Sequence, residues 1–127
     1  MARKQSSVLT DAELRPMEVL WQRGPATVAQ VTAALSESGI RSYSTVLTTL
    51  RILERKGYVH HTKEGQAFVY HPVVQRTQAQ KSALGNLLSR FFDNSPEQLV
   101  MNLLRTEKID VEDLERIQRL IDEGDDP

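Results

Sequence analysis

The stretch RSYSTVLTTLRILERKGYVHHTKEGQAFVYHP, residues 41–72, constrains the fold more than any other part of the chain. A hydroxyl at Ser42 opens a helical pattern that runs to about Lys56, and Gly57 supplies a left-handed stop. Two runs rich in aromatic and β-branched residues follow, 58–62 and 66–70, with Lys63-Glu64-Gly65 between them as a turn. Pro72 closes the hairpin, since it has no N–H for a further rung. A helix, a sharp stop and a hairpin with a charged tip leave few architectures open.

The helix has two unlike faces. Stepping about 100° per residue from Val46 puts Leu50 and Leu53 beside it, with Leu47 and Tyr43 on the shoulders. That stripe is predicted to pack inward. The other side carries Ser44, Thr45, Thr48, Arg51, Ile52 and Arg55, with Arg41 just before the helix and Ser42 and Thr49 adding to the hydroxyls. Short hydroxyls let a backbone approach the floor of a major groove and bond base edges, and a threonine methyl can meet a thymine methyl. Arginines at the flank reach guanine or phosphate. Ile52 interrupts this polar face. It either meets a thymine methyl or tucks against the hairpin, and burial worth about 1.5–3 kcal/mol favours the second. Lys63 and Gln66 at the hairpin tip suit phosphates or the minor groove.

Upstream, Thr10-Asp-Ala-Glu13 and Thr27-Val-Ala-Gln30 are capping boxes. The first predicts a helix that buries Leu14, Met17, Leu20 and Trp21 and ends at Gly24-Pro25. Pro16 inside it predicts a kink, or a regular part that begins near Arg15. The second predicts a helix from Val28 to about Ser36 that presents Val28, Val31 and Leu35, broken at Ser38-Gly39. Three short helices with this spacing form a helix-turn-helix, which makes residues 1–74 a winged-helix DNA-binding domain.

Beyond Val73 the helical pattern returns, and residues 75–127 are assigned to a helical dimerisation region. A helix over about 75–92 carries Leu84, Leu87, Leu88, Phe91 and Phe92. A second, capped by Ser95 with Pro96 at its first position, carries Leu99, Val100, Leu103 and Leu104. A third, capped by Asp110, carries Leu114, Ile117, Leu120 and Ile121, and ends in polar GDDP. So short a tail would struggle to bury this much apolar surface alone; two copies packed together would solve that, and the alternative is a tail folded back on its own N-terminal domain. The fold class is therefore mainly α with a small β-hairpin, a winged helix-turn-helix followed by a C-terminal helical dimerisation region.

Charge agrees with this division. Residues 1–80 hold ten basic and six acidic side chains, and residues 81–127 hold six and eleven. Only the first part is suited to a polyanion. The chain has no cysteine, which removes disulfides, thiolate metal sites and cysteine nucleophiles. No apolar run is long enough for membrane insertion and the first ten residues lack an apolar signal core, so a soluble cytoplasmic protein is expected. No metalloprotease, phosphate-loop or nucleophile motif is present, so neither an enzyme nor a cofactor is expected. Two other readings compete. A metal- or ligand-responsive regulator would need His61 and His71 to approach across the hairpin, because His60 and His61 point to opposite faces. A winged helix used only for protein contacts would bind duplex DNA without steep salt dependence, or not at all.

LTDAELRPMEVLW, STVLTTLRILERKGYV, HTKEGQAFVYHP and the LVMNLL…DLERIQRLI tail together resemble the penicillinase-repressor (BlaI/MecI) family over about residues 7–122. The resemblance implies a winged-helix repressor that binds a palindromic double-stranded operator as a homodimer. In members tied to β-lactam resistance it also implies a membrane sensor-protease system that cleaves the dimerisation region after an Asn. That position matches Asn102 here, with Leu103 where those members carry Phe. Gln66 stands where Arg is frequent, and Ile52 matches some members while others have Arg. Copper-sensing relatives carry C-terminal cysteines, which this chain lacks.

Overall fold

Each threonine cap closes its box. In the computed structural model, which describes residues 8–40 and 42–124, Thr10 Oγ1 accepts from the Glu13 amide at 3.2 Å and Glu13 Oε1 accepts from the Thr10 amide at 3.0 Å. Helix α1 (Asp11–Arg23) therefore starts at Asp11 and runs through Pro16, rather than beginning near Arg15. Pro16 is buried, and lines a small gap with Ala12, Leu35, Ile40, Val46 and Thr49. Its ring thus fills space between helices, while the carbonyl that loses a donor is that of exposed Ala12. Thr27 repeats the box with Gln30 at 3.1 and 2.9 Å and opens α2 (Val28–Leu35). A single 3-10 turn, Ser36–Ser38, leads to Gly39 and the next helix.

That helix is α3 (Tyr43–Lys56), with the Ser42 hydroxyl accepting from the Thr45 amide at 3.2 Å. It ends at Gly57, whose φ of 89° and ψ of 13° need glycine's freedom, and the Tyr58 amide closes the stop on Leu53 O at 2.9 Å. Tyr58 O then accepts from the Val73 and Val74 amides, and Val74 O accepts from Trp21 Nε1 at 2.9 Å. The foot of the hairpin is in this way tied to both α3 and α1. Trp21 is half-buried around this bond.

The sheet has three antiparallel strands, in the order β1-β3-β2: β1 (Ala26–Thr27), β2 (Val59–Glu64) and β3 (Ala67–Pro72). β1 has no counterpart in the sequence pattern. It is two residues long, pairs Ala26 with Tyr70 and Thr27 with Val69, and shares Thr27 with the α2 cap. Both hairpin strands extend further than 58–62 and 66–70. Glu64 pairs with Ala67, so Lys63 and Glu64 belong to β2 and the turn is Gly65-Gln66, with Gly65 at φ 61°. Glycine first in a two-residue hairpin turn matches the twist of the strands.

The core comprises Met17 and Leu20 of α1, Val28, Val31 and Leu35 of α2, Val46, Leu50 and Leu53 of α3, and Tyr58, Val59, Tyr70 and Val74 around the sheet. Leu14 and Tyr43, expected inside or at its shoulder, are 39% and 54% exposed. Leu14 instead lines an apolar groove with Val8, Leu9, Trp21 and Ala79.

Glu13 is the one buried charged residue among those described. Its Oε1 lies 2.8 Å from Lys56 Nζ, so the start of α1 is fastened to the end of α3. Burial pushes its carboxyl up, but the bonds from Lys56 and Thr10 outweigh that and hold it below the ordinary 4.5. A carboxylate depressed by folding adds stability above its unfolded value, and that stability is lost as pH falls through the folded value. Glu13→Gln keeps the capping acceptor and removes the charge, and should cost about 1–3 kcal/mol at neutral pH. The gap to the unsubstituted protein should close as pH falls below 4.5, read by urea denaturation. A gap that persists at strongly acid pH would show that the ion pair is not its source.

The backbone divides into two compact units, Met1–Ala83 and Leu84–Pro127. The predicted division at 74/75 falls just before α4 (Arg76–Phe91). Early α4 packs within the first unit: Ala79 is in its core, Arg76 bonds Glu18 at 3.0 Å, and its guanidinium lies 5.4 Å from the Trp21 ring centroid. In the second unit, α4 stops at Asp93 and Asn94, both left-handed, a conformation these two residue types tolerate. Ser95 then caps α5 (Pro96–Thr106), and Asp110 caps α6 (Val111–Asp122). The predicted features at residues 1–7, Arg41 and 125–127 lie outside the described residues.

Candidate nucleic-acid interface

Burying Val46, Leu50 and Leu53 turns the opposite side of α3 to solvent. Ser42, Ser44, Thr45, Thr48, Arg51 and Arg55 are all exposed on it. Its first turn carries no acidic side chain, so nothing there offsets the positive end of the helix dipole. The hydroxyls are not equivalent. Ser42 Oγ is engaged by the Thr45 amide and lies 3.1 Å from Ser44 Oγ. Thr49 is half-buried and donates to Thr45 O at 2.9 Å, which removes its donor from any base edge. Thr48 has no such internal commitment among the described residues, and its side chain is exposed at mid-helix. Ile52 is half-buried.

Residues directly opposite in an antiparallel pair share a face. Val59, His61 and Lys63 of β2 therefore lie on the same side as Pro72, Tyr70 and Phe68 of β3. Val59 and Tyr70 are in the core, so this is the side turned to α3. Lys63 is exposed on that side, and Gln66 is exposed in the turn. Arg51, Glu54 and Arg55 of α3 line an open cleft of 570 Å³ with His61, Phe68 and Tyr70 of the hairpin. Burial pushes the Tyr70 hydroxyl up, Glu54 adds to this, and Arg51 draws it the other way.

The histidines do not assemble a metal site. His60 pairs with His71 and their rings stack at 4.8 Å, while His71 Nε2 lies 2.9 Å from Thr62 Oγ1. His61 is on the other face, with its Nδ1 2.8 Å from Glu54 Oε1. The approach of His61 and His71 that a metal-responsive regulator would need does not occur, because the register pairs His61 with Tyr70 and His60 with His71. No metal-holding group of three or more His, Cys, Asp or Glu occurs among the described residues.

In the second unit, no residue of α5 or α6 is buried. Leu84, Leu87, Phe91, Val100 and Leu103 are exposed, as are Leu114, Ile117, Leu120 and Ile121, while Leu88 and Leu99 are half-buried. Asn102 lies within α5, and its carbonyl accepts from the Thr106 hydroxyl at 2.7 Å.

A three-helix core, a small antiparallel sheet and a hairpin set beside the third helix define a winged helix-turn-helix. The sequence matches the profile described as Penicillinase repressor over residues 9–123. The chain belongs to that family. It is 28% identical over 120 residues to the penicillinase repressor of Bacillus licheniformis, covering 94% of each protein. The solution structure of the DNA-binding domain of the repressor BlaI is similar, at 34% identity and a TM-score of 0.53 over 60% of this chain and 93% of that one. The Bacillus licheniformis BlaI monomeric form in complex with the blaP half-operator also matches, at 34% identity and a TM-score of 0.50 over the same shares.

Proposed function

We propose that this chain is a transcriptional repressor that binds a palindromic DNA operator as a homodimer, in the cytoplasm. The observation that carries the reading is the exposed hydroxyl and arginine face of α3, with Lys63 of the hairpin on the α3 side. A relative with a BlaI domain of the same fold is known bound to a half-operator, and DNA binding by this chain follows that likeness. Thr48 and Arg51 read bases, while Lys63 and Gln66 hold phosphates, with Arg41, Ser42, Ser44, Thr45 and Arg55 at the flanks. Thr49 has the weaker claim, because its hydroxyl is already used. Two such domains, joined through the apolar faces of α4 to α6, would occupy two half-sites about one helical turn or a multiple apart.

Relief by a membrane sensor-protease system, cutting at Asn102–Leu103, carries a structural condition. The bond to be cut is helical and its carbonyl is bonded, so α5 has to unwind before an extended segment can enter a protease.

Selection of bound duplexes from a random pool tests the reading, and a palindrome is the expected product. With the selected duplex, Thr48→Ala should lower the operator-to-random affinity ratio by roughly tenfold, the scale of one base contact. Lys63→Ala should weaken both duplexes alike and flatten the salt dependence by about one counterion. An unchanged ratio in Thr48→Ala would remove Thr48 from the reading face. Salt-insensitive or absent retention on duplex would favour a protein-contact module instead.

A further inference from the structure

Glu54 sits among the basic residues of α3, between Arg51 and Arg55, where a free carboxylate would oppose a polyanion. The carboxylate is not free. Its Oε2 accepts the His61 backbone amide at 3.2 Å, and His61 Nδ1 lies 2.8 and 2.9 Å from its two oxygens. β2 is an edge strand, so a side chain of α3 here takes an amide that no neighbouring strand receives. The imidazole is held from its other side by Phe68, edge-on at 5.0 Å, and by Tyr70 at 5.4 Å. One α3 side chain thus grips the hairpin at both backbone and ring, two residues before Lys63 and on its face.

We propose that Glu54 is the positioning residue that sets the hairpin, and with it Lys63, against the reading helix when duplex DNA is bound; the inference rests on the DNA-binding reading above. The clamp also surrounds the carboxylate with N–H groups, so its charge is turned from the phosphates towards the hairpin. Glu54 itself need not touch DNA.

A double-mutant cycle on the full chain, with the selected operator duplex as probe, tests this. Glu54→Ala should weaken operator binding by roughly tenfold, and Lys63→Ala should then add little, because an unclamped hairpin no longer presents the lysine. Glu54→Gln should restore most of the affinity, since its amide oxygen still accepts from the His61 amide. Hydrogen exchange at the His61 amide, measured without DNA, should be slow in the unsubstituted protein and in Glu54→Gln, and fast in Glu54→Ala. Additive losses in Glu54→Ala/Lys63→Ala, or tighter binding by Glu54→Ala, would overturn the proposal. If the unsubstituted protein fails to bind any duplex, the repressor reading falls, and protection of the His61 amide still decides whether the clamp exists.

Discussion

Ile117→Glu is expected to leave a folded monomer that has lost most of its operator affinity. Ile117 is 48% exposed in the single chain, so a carboxylate there meets water and the helix should form. In a twofold dimer the same residue occurs twice across one interface, and each copy would bring an uncompensated charge into an apolar contact. Its neighbours on that face, Leu114 and Ile121, follow at helical spacing and are also exposed. Sedimentation should therefore give one chain where the unsubstituted protein gives two. Losing the second half-site should lower operator affinity by about 10²–10⁴-fold, while binding to an isolated half-site stays the same. A dimeric Ile117→Glu, or a monomer with full operator affinity, would reject the assignment of this face. A fragment ending after Ala83 is the matching control. A cut at Arg76 would strip Ala79 from the core and confuse unfolding with loss of pairing.

The second large effect is on stability. Leu50 has no exposed surface and lies on the side of α3 opposite its exposed hydroxyls and arginines. Leu50→Ala removes its buried methyl groups and leaves a cavity, at about 2–5 kcal/mol. For a unit of this size that corresponds to a fall in Tm of roughly 10–25 °C, measurable by calorimetry. Leu14→Ala, on α1 at a position 39% exposed, should cost less than about 1 kcal/mol. Equal losses at the two positions would mean that Leu14 is covered in solution.

What could be read from residue order was what residue order controls. A hydroxyl three positions before a glutamate or glutamine fixes a helix start through bonds inside one turn, and both boxes form. The limits of α3 follow from Ser42 and Gly57 in the same way, and its two faces follow from a fixed rotation per residue. Other features depend on partners far along the chain. β1 exists because β3 lies beside it, and two residues carry no periodicity. Lys63 and Glu64 look like turn residues, yet an exposed hairpin strand takes polar side chains without ending. Leu14 has the right spacing for burial, but the elements around it in the first unit leave it 39% exposed at a groove. Glu54 carries no signal of its own in the sequence because its meaning lies in His61, on another element. Thr49 counts among the candidate hydroxyls by residue order alone, which cannot show that its hydroxyl turns back to Thr45 O.

The alternation of the hairpin strands has a consequence for how relatives with longer or shorter wings can arise. Lys63 is on the α3 side because it stands two positions after His61 and four after buried Val59. Adding one residue to each strand between His61 and the tip would carry the lysine to the outer side, where His60 and His71 stack. Adding two would restore it about 6.6 Å further out. The reach of the wing is therefore quantised, and its length can drift along a lineage only in paired steps if the same cation is to keep its duty.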